Sequence, residues 1–180
     1  MKRILFLAFI VCTVTACTTY SPSPRAVLPA EYSLAWQQIF GHCYDSVACA
    51  VVALDLYSDG LSLDKDNRMQ GSGYNLYLSD IFVPDSLFEA GSYHSDTTAQ
   101  PFTFLPGRNW EGTPSGMYLL YVDEGRLQSI QVLDSGMIVA KDTTNGLVDL
   151  QFTLYYKNAY GYKTTYTTHF QGALQPWRKQ

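Results

Sequence analysis

Hydrophobic and polar residues alternate with a period of two along most of the chain after residue 30. In the segment LVDLQFTLYY, residues 147–156, one face of the strand carries Val148, Leu150, Phe152, Leu154 and Tyr156. The segment YKTTYTTHFQG alternates in the same way, with Tyr162, Tyr166 and Phe170 on one side. Turn residues, Asn158 and Gly161, lie between the two segments, so the pattern predicts a β-hairpin with one buried face.

Further short strands are predicted earlier in the chain. Their sequences are CAVVALDLYS, GYNLYLSDIFV, PFTFL, GMYLLYVD, LQSIQVL and GMIVAK. The phrases DEG, DSG and TTNG separate the later ones, with glycine supplying the positive φ of hairpin turns. The segment PAEYSLAWQQIF fits either a short helix or an edge strand. We therefore expect an all-β fold, a single antiparallel β-sandwich of about 8–9 strands, with a β-barrel as the alternative.

The amino terminus has a different pattern, which is typical of a secretory signal. Lys2 and Arg3 precede an apolar run from Ile4 to about Val14. A membrane-spanning helix needs about 20 apolar residues, so this run is too short to be one. A basic start, a short apolar stretch and small residues before the cleavage point together predict a signal peptide over residues 1–16.

The signal ends in Val14-Thr15-Ala16-Cys17, which resembles the lipobox of bacterial lipoproteins. The resemblance implies that Ala16 is the last residue removed and that Cys17 carries lipid. More than one acyl chain gives stable anchoring, so the membrane is the first expected partner. Residues 17–29, rich in proline, would form a flexible linker, followed by a β-sandwich domain over residues 30–175 and a tail over residues 176–180.

The location follows from a second resemblance. The phrases GSGYNLYLSDIF, LFEAGSY, FTFLPG, DSGMIVAKD and THFQGAL are similar to those of lipid-anchored β-sandwich proteins of gut Bacteroidetes. That group has no common activity, so the likeness implies a fold and a place in the outer membrane, and no reaction. Surface-exposed lipoproteins of these bacteria often carry acidic residues just after the cysteine. Here Thr18, Thr19 and Tyr20 follow it, which favours the periplasmic side.

Composition narrows the possible partners. Without residues 1–16 the chain has 164 residues, enough for one domain, and 16 acidic residues against 10 Lys and Arg give a net charge of −6. A nucleic-acid-binding protein would need a basic patch, so nucleic acid is excluded as a partner. The 14 tyrosines favour strands that pack aromatic side chains.

Two cysteines of the predicted domain, Cys43 and Cys49, lie close together in GHCYDSVACAVV. In an oxidising compartment they could form a disulfide across a tight turn. Two free buried thiols, or a metal site with His42, are the alternatives. We favour the disulfide and assign neither a metal nor a cofactor, because zinc sites usually have four ligands at recognisable spacing.

No motif in the sequence predicts catalysis. The serine of GTPSG, Ser115, is in the wrong place for a nucleophile elbow. His94 and His169 are expected at the surface, and the aspartates of one polar loop, Asp59, Asp64 and Asp66, are expected to be solvated. We therefore assign no catalytic residue, expect a non-enzymatic protein, and place a hydrolase last among the functions considered.

Binding residues are expected among the exposed aromatic side chains. Trp110 lies in a loop flanked by glycine and proline, and Tyr160 lies at a predicted hairpin tip. Such rings could stack on sugars or fill a pocket of a partner. The expected function is recognition or assembly in the cell envelope with an envelope-protein or glycan partner. The alternative is binding of a small ligand, glycan or haem, with His94 as a further contact.

Overall fold

The computed structural model describes residues 27–41, 49–85, 88–142 and 147–177. In these residues 66% of the chain is strand and no helix is present. The all-β prediction is therefore confirmed. No helix of the described ranges is long and apolar enough to cross a bilayer.

Sixteen strand segments occur in the described residues, most of them in one large sheet. Twelve belong to that sheet, while β4–β5 and β9–β10 pair only with each other. The segments are β1 (Glu31–Tyr32), β2 (Leu34–Gly41), β3 (Ala50–Tyr57), β4 (Leu61–Leu63), β5 (Met69–Gly71), β6 (Gly73–Val83), β7 (Gly91–Ser95), β8 (Thr103–Phe104), β9 (Arg108–Trp110), β10 (Thr113–Ser115), β11 (Met117–Asp123), β12 (Arg126–Val132), β13 (Ser135–Asp142), β14 (Val148–Lys157), β15 (Lys163–Gly172) and β16 (Gln175–Pro176).

The large sheet is curled and mixed. Its strand order is β1-β15-β14-β13-β7-β8-β6-β3-β2-β16, and the β11–β12 hairpin branches from β6. Three pairings are parallel, β1 with β15, β7 with β8 and β16 with β2. The prediction of a purely antiparallel sheet is therefore wrong at these pairings, and the described strands outnumber the eight or nine expected. The excess consists of seven segments of two or three residues, namely β1, β4, β5, β8, β9, β10 and β16.

The two ends of this strand order are linked through the chain. At one end Tyr32 of β1 pairs with Phe170 of β15, and at the other Trp36 of β2 pairs with Gln175 of β16. Only Ser33 separates β1 from β2. The first and last parts of the domain therefore run side by side, and the curled sheet encloses one of its faces.

The enclosed face holds the main hydrophobic core. Strands place alternate side chains on opposite faces, so the even-numbered residues of β14 point inward. Leu150, Phe152 and Leu154 are at most 1% exposed. Burying each such side chain stabilises the fold by about 1.5–3 kcal/mol. The largest fully buried members of this core are Tyr32, Tyr93, Phe104, Phe152, Phe170, Leu54, Leu56, Leu76, Leu78 and Ile81.

Strand β3 is buried on both faces. Its inward residues join the main core as the alternation predicts, but every residue from Ala50 to Tyr57 is buried. On the outer side, Tyr57 packs in a second cluster with Trp36, Leu61 and Val122, against which Trp177 also lies. The alternating pattern therefore underestimates the burial of this strand, because the chain adds a second layer over the sheet.

The predicted carboxy-terminal hairpin is confirmed as β14 and β15, which pair from Val148 with Gly172 to Lys157 with Lys163. Its inward set is correct except for Tyr162, which lies in the turn and is 71% exposed. The turn at DEG is also present, with Gly125 at φ 73°. The prediction of a turn at DSG is wrong, because Gly136 lies inside β13 and pairs with Leu154.

The amino-terminal segment PAEYSLAWQQIF forms strands β1 and β2 and contains no helix. Tyr32 and Ala35 face the main core from this segment. Pairing with both β15 and β3 satisfies its backbone donors and acceptors on two sides. Tertiary pairing therefore decides between the two conformations that its sequence allows.

Candidate functional site

Several predicted site residues lie outside the described residues. Ala16 and Cys17 precede residue 27, and Cys43 falls within residues 42–48. Lipidation, signal cleavage and the Cys43–Cys49 disulfide therefore stay predictions. Cys49 itself is 1% exposed, with its Sγ 3.9 Å from the carbonyl oxygen of Ala99. Burial raises the pKa of its thiol.

The three predicted ligand-binding residues lie on three separate elements. Trp110 ends β9, where its backbone pairs with Thr113. Tyr160 is 76% exposed in the turn between β14 and β15. His94 is exposed on β7, between Met137 of β13 and Thr103 of β8. Among the described strands, β7 and β9 do not pair with each other.

A different set of aromatic side chains does converge, at one end of the curled sheet. We call it the tyrosine mouth, defined by Tyr74, Tyr121 and Tyr156. With Leu28, Leu119, Ser129 and Gln131 these tyrosines line a cavity of about 130 Å³. Tyr74 and Tyr121 also border an adjoining cleft of about 440 Å³. Its other lining residues are Val27, Pro29, Glu31, Ser58, Asp59, Ser72 and Gly73.

The strand register brings these rings together. Tyr74 of β6 and Tyr121 of β11 are direct antiparallel partners, with ring centroids 5.1 Å apart. Tyr156 reaches the same cavity from β14 on the opposite wall of the curled sheet. Burial, then the neighbouring Tyr121 and Tyr156, raises the pKa of the Tyr74 hydroxyl. The Tyr74 hydroxyl therefore stays neutral near physiological pH.

The amino-terminal end of the described chain crosses the mouth. The Tyr166 hydroxyl donates to the carbonyl oxygen of Pro29 at 2.8 Å, and it lies 3.1 Å from the Tyr32 hydroxyl, whose proton it can accept. Leu28, one residue earlier, packs against the main core. The chain thus enters the domain at the tyrosine mouth and is fastened there by buried tyrosines.

Polar groups surround the rings in the adjoining cleft. Ser58 Oγ accepts a hydrogen bond from the Tyr74 backbone N–H at 2.8 Å. Ser72 Oγ donates to Asp123 Oδ1 at 2.7 Å and accepts from the Glu124 backbone N–H at 2.9 Å. Aromatic faces beside hydroxyls and carboxylates can both stack on and hydrogen-bond to a ligand rich in hydroxyl groups.

This site was not predicted from the sequence. The alternation placed Tyr156 on the buried face of its strand, and Tyr74 lay in a predicted strand to which no binding role was assigned. The mouth needs residues of β6, β11 and β14, and in the sheet β14 pairs with neither of the other two. The high tyrosine count was the one signal available, and it does not say which rings converge.

A buried carboxylate on the outer side of β3 is a second candidate. Asp55 is 7% exposed, and its Oδ2 accepts a hydrogen bond from the Tyr57 hydroxyl at 2.6 Å. The Asn75 side-chain amide donates to Oδ1 and also, at 3.0 Å, to the carbonyl oxygen of Leu56. Burial raises the pKa of Asp55, against the opposing effect of the two hydrogen bonds.

The surroundings of Asp55 favour a structural role. The rings of Tyr77 and Tyr118 pair at 5.0 Å beside it. Burial, followed by the proximity of Tyr77 and Asp55, raises the pKa of Tyr118 to about 12. Both carboxylate oxygens are occupied by partners on β3 and β6, so the group ties these two strands together.

The polar loop between β4 and β5 is held by one of its aspartates. Asp64 Oδ1 accepts from the backbone N–H groups of Asp66 and Arg68, at 2.8 and 2.9 Å. The Arg68 N–H bond is the main reason why the pKa of Asp64 is lowered. Within the described ranges no group of three or more His, Cys, Asp and Glu residues is placed to hold a metal ion.

A groove of about 370 Å³ runs along β2 and β16, lined by Gln37, Gln38, Ile39, Leu174, Pro176 and Trp177. Ile39 is 48% exposed there. The groove has no ionisable side chain and a single aromatic ring in its lining. The tyrosine mouth, which combines three rings with hydroxyls and carboxylates, therefore offers the richer recognition chemistry.

Comparison with models of known protein families, with curated proteins and with solved structures gave no match to this chain.

Proposed function

We propose that this chain is a non-enzymatic, lipid-anchored protein of the cell envelope that serves in recognition or assembly, with the tyrosine mouth as its binding site. The convergence of Tyr74, Tyr121 and Tyr156 on one cavity carries the proposal. Tyrosine offers a large apolar face and a hydrogen-bonding hydroxyl, and loses little side-chain freedom on binding.

The anchor is proposed at Cys17, on the periplasmic side of the outer membrane. Nine residues lie between Cys17 and Val27, where the described chain begins at the mouth. A proline-rich segment extends about 3.1 Å per residue, so this tether would reach about 30 Å. It would hold the domain near the membrane while leaving it free to rotate.

The alternative function is small-ligand binding, and for it we favour a glycan over haem as the ligand. The residues that line the mouth and the adjoining cleft supply aromatic faces, serine hydroxyls, an amide and the carboxylates of Glu31 and Asp59. These groups match the stacking faces and hydroxyls of a saccharide. His94, the residue expected to contact haem, lies on β7 and does not line either cavity.

For the finer architecture we infer the barrel alternative over the sandwich. The pairing of β1 with β15 and of β2 with β16 supports it, because these contacts join the two ends of the strand order. In a sandwich, these pairs of strands would belong to two separate sheets.

Loss of one mouth ring is expected to weaken saccharide binding. The full chain is first screened on a glycan array, and the best saccharide is then titrated by calorimetry. We expect Tyr121→Ala to bind about tenfold more weakly, because a stacked aromatic contact contributes about 1.4 kcal/mol. Tyr155→Ala is the matched control, since Tyr155 lies on the outer face of β14 against Lys163.

Two outcomes would contradict the proposed site. One is a parent chain that binds no saccharide on the array. The other is unchanged affinity in Tyr121→Ala together with lost affinity in a Trp110→Ala, Tyr160→Ala double variant. That second result would move binding from the tyrosine mouth to the loop aromatics.

A further inference from the structure

The tip of the β14–β15 hairpin combines exposed aromatic rings with positive charge. Tyr160 and Tyr162 are 76% and 71% exposed. Lys157 and Lys163, both exposed, are register partners directly behind them. Residues 157–163, KNAYGYK, include no acidic side chain, although the whole chain has a net charge of −4. The tip is therefore a small basic and aromatic surface on an acidic protein.

The turn holds both rings outward. Asn158 Oδ1 accepts hydrogen bonds from the backbone N–H groups of Tyr160 and Tyr162, at 3.0 and 3.1 Å. The Gly161 N–H donates to the Asn158 carbonyl oxygen at 2.8 Å. These bonds fix the backbone, so the exposure of the two rings is a property of the folded turn.

The tip and the entry of the chain share one end of the sheet. Leu28 and Tyr156 line the same cavity, and Tyr156 immediately precedes Lys157 in β14. Strand β1 runs parallel to β15 and begins opposite His169, so the chain before Glu31 leads back toward the Lys163 end of β15. A tether that leaves the domain at Val27 therefore starts beside the hairpin tip.

We propose that this tip rests on an anionic lipid surface, the membrane that carries the anchor; the proposal rests on the lipid anchor at Cys17. Tyrosine side chains favour the interface between hydrocarbon and water, where the ring is apolar and the hydroxyl is hydrated. Lysines near an anionic membrane strengthen binding about fivefold each. The tether brings this end of the domain near the membrane, and contact of the basic aromatic tip with lipid would then orient the domain.

The test uses the full-length lipidated protein in vesicles of phosphatidylcholine with or without phosphatidylglycerol. Tyr160→Trp places a fluorophore at the tip, and brominated acyl chains quench it where it enters the membrane interface. Phe40→Trp is the matched control, because Phe40 is 46% exposed at the far end of β2. The signal of the parent tryptophans is subtracted in both variants.

We expect stronger quenching in Tyr160→Trp than in Phe40→Trp, and more of it with phosphatidylglycerol. Adding Lys157→Gln and Lys163→Gln should lower the ratio of docked to undocked protein about fivefold per lysine. If the parent floats with the vesicles but the two tryptophans are quenched equally, the tip does not rest on lipid and this inference is overturned alone. If the parent does not float, the lipid anchor is wrong and the inference falls with it.

Discussion

Replacement of Asp55 by alanine is expected to lower the free energy of unfolding by about 3 kcal/mol. The change removes a buried acceptor, which leaves the Tyr57 hydroxyl without a partner and the Asn75 amide with only the Leu56 carbonyl. It also opens a gap between β3 and β6. Urea unfolding followed by circular dichroism measures the difference.

Asp55→Asn is the matched control for shape. It keeps the size of the side chain and can still bond to both neighbours, so its loss of stability should be much smaller. Destabilisation by Asp55→Asn as large as that of Asp55→Ala would contradict the hydrogen-bonded role assigned to this carboxylate.

The parent protein and Asp55→Asn should also differ in how their stability depends on pH. Burial raises the pKa of Asp55 above its ordinary value of 3.8. The folded state therefore binds this proton more tightly than the unfolded state. The stability that this proton contributes is complete below pH 3.8 and is lost as the pH rises through the pKa of Asp55 in the folded state. Relative to Asp55→Asn, the parent should thus become less stable over that rise, and a constant difference between them would contradict the assignment.

Replacement of Tyr32 by alanine should be at least as costly, about 4 kcal/mol. Tyr32 is 1% exposed, pairs with Phe170 across the β1–β15 contact, and reaches the hydroxyl of Tyr166. The variant loses a large buried side chain where β1 pairs with β15. Thermal unfolding compared with the parent measures this loss.

Two controls separate packing from hydrogen bonding at Tyr32. Tyr32→Phe keeps the ring and removes one hydroxyl contact, so its cost should be about 1 kcal/mol. Tyr162→Ala removes an exposed ring and should leave stability unchanged. Equal stability of the Tyr32→Ala and Tyr162→Ala variants would show that the pairing of the sheet ends contributes little to the fold.

The fold was predictable from the sequence wherever its causes are local. Alternation along residues 148–156 places the correct side chains inside, and Asn158 and Gly161 mark the correct turn. The pairing of β1 with β15 has no such local signal, because it joins Tyr32 to Phe170 across most of the chain. Gly136 of DSG was predicted to lie in a turn, because its pairing with Leu154 is a tertiary contact that has no local signal.

The candidate site was less predictable than the fold. Tyr160 lies exposed at a hairpin tip as expected, because turn residues reveal tips. The tyrosine mouth depends on three strands that are distant in sequence, and inward alternation gives Tyr74 and Tyr156 the signature of core residues. Asp55 stands in an otherwise apolar strand, which hints at a buried polar group, but its partner Asn75 lies 20 residues away.

The proposed anchor would lead to the end of the domain that carries the hairpin tip and the tyrosine mouth. If the anchor holds that end near the membrane, the tyrosine mouth lies close to saccharides and proteins at the same surface. The tip then limits how far the domain can rotate on its tether. A different point of attachment would remove the reason for this arrangement.

The most direct test is the intact mass of the protein purified from its native membrane, with a Cys17→Ser variant alongside. We predict a chain that begins at Cys17 and carries the added mass of its acyl chains, while the variant carries no acyl mass and leaves the membrane fraction. A parent chain without acyl mass would contradict the proposed lipid anchor at Cys17. So would a Cys17→Ser variant that remains in the membrane fraction as the parent does.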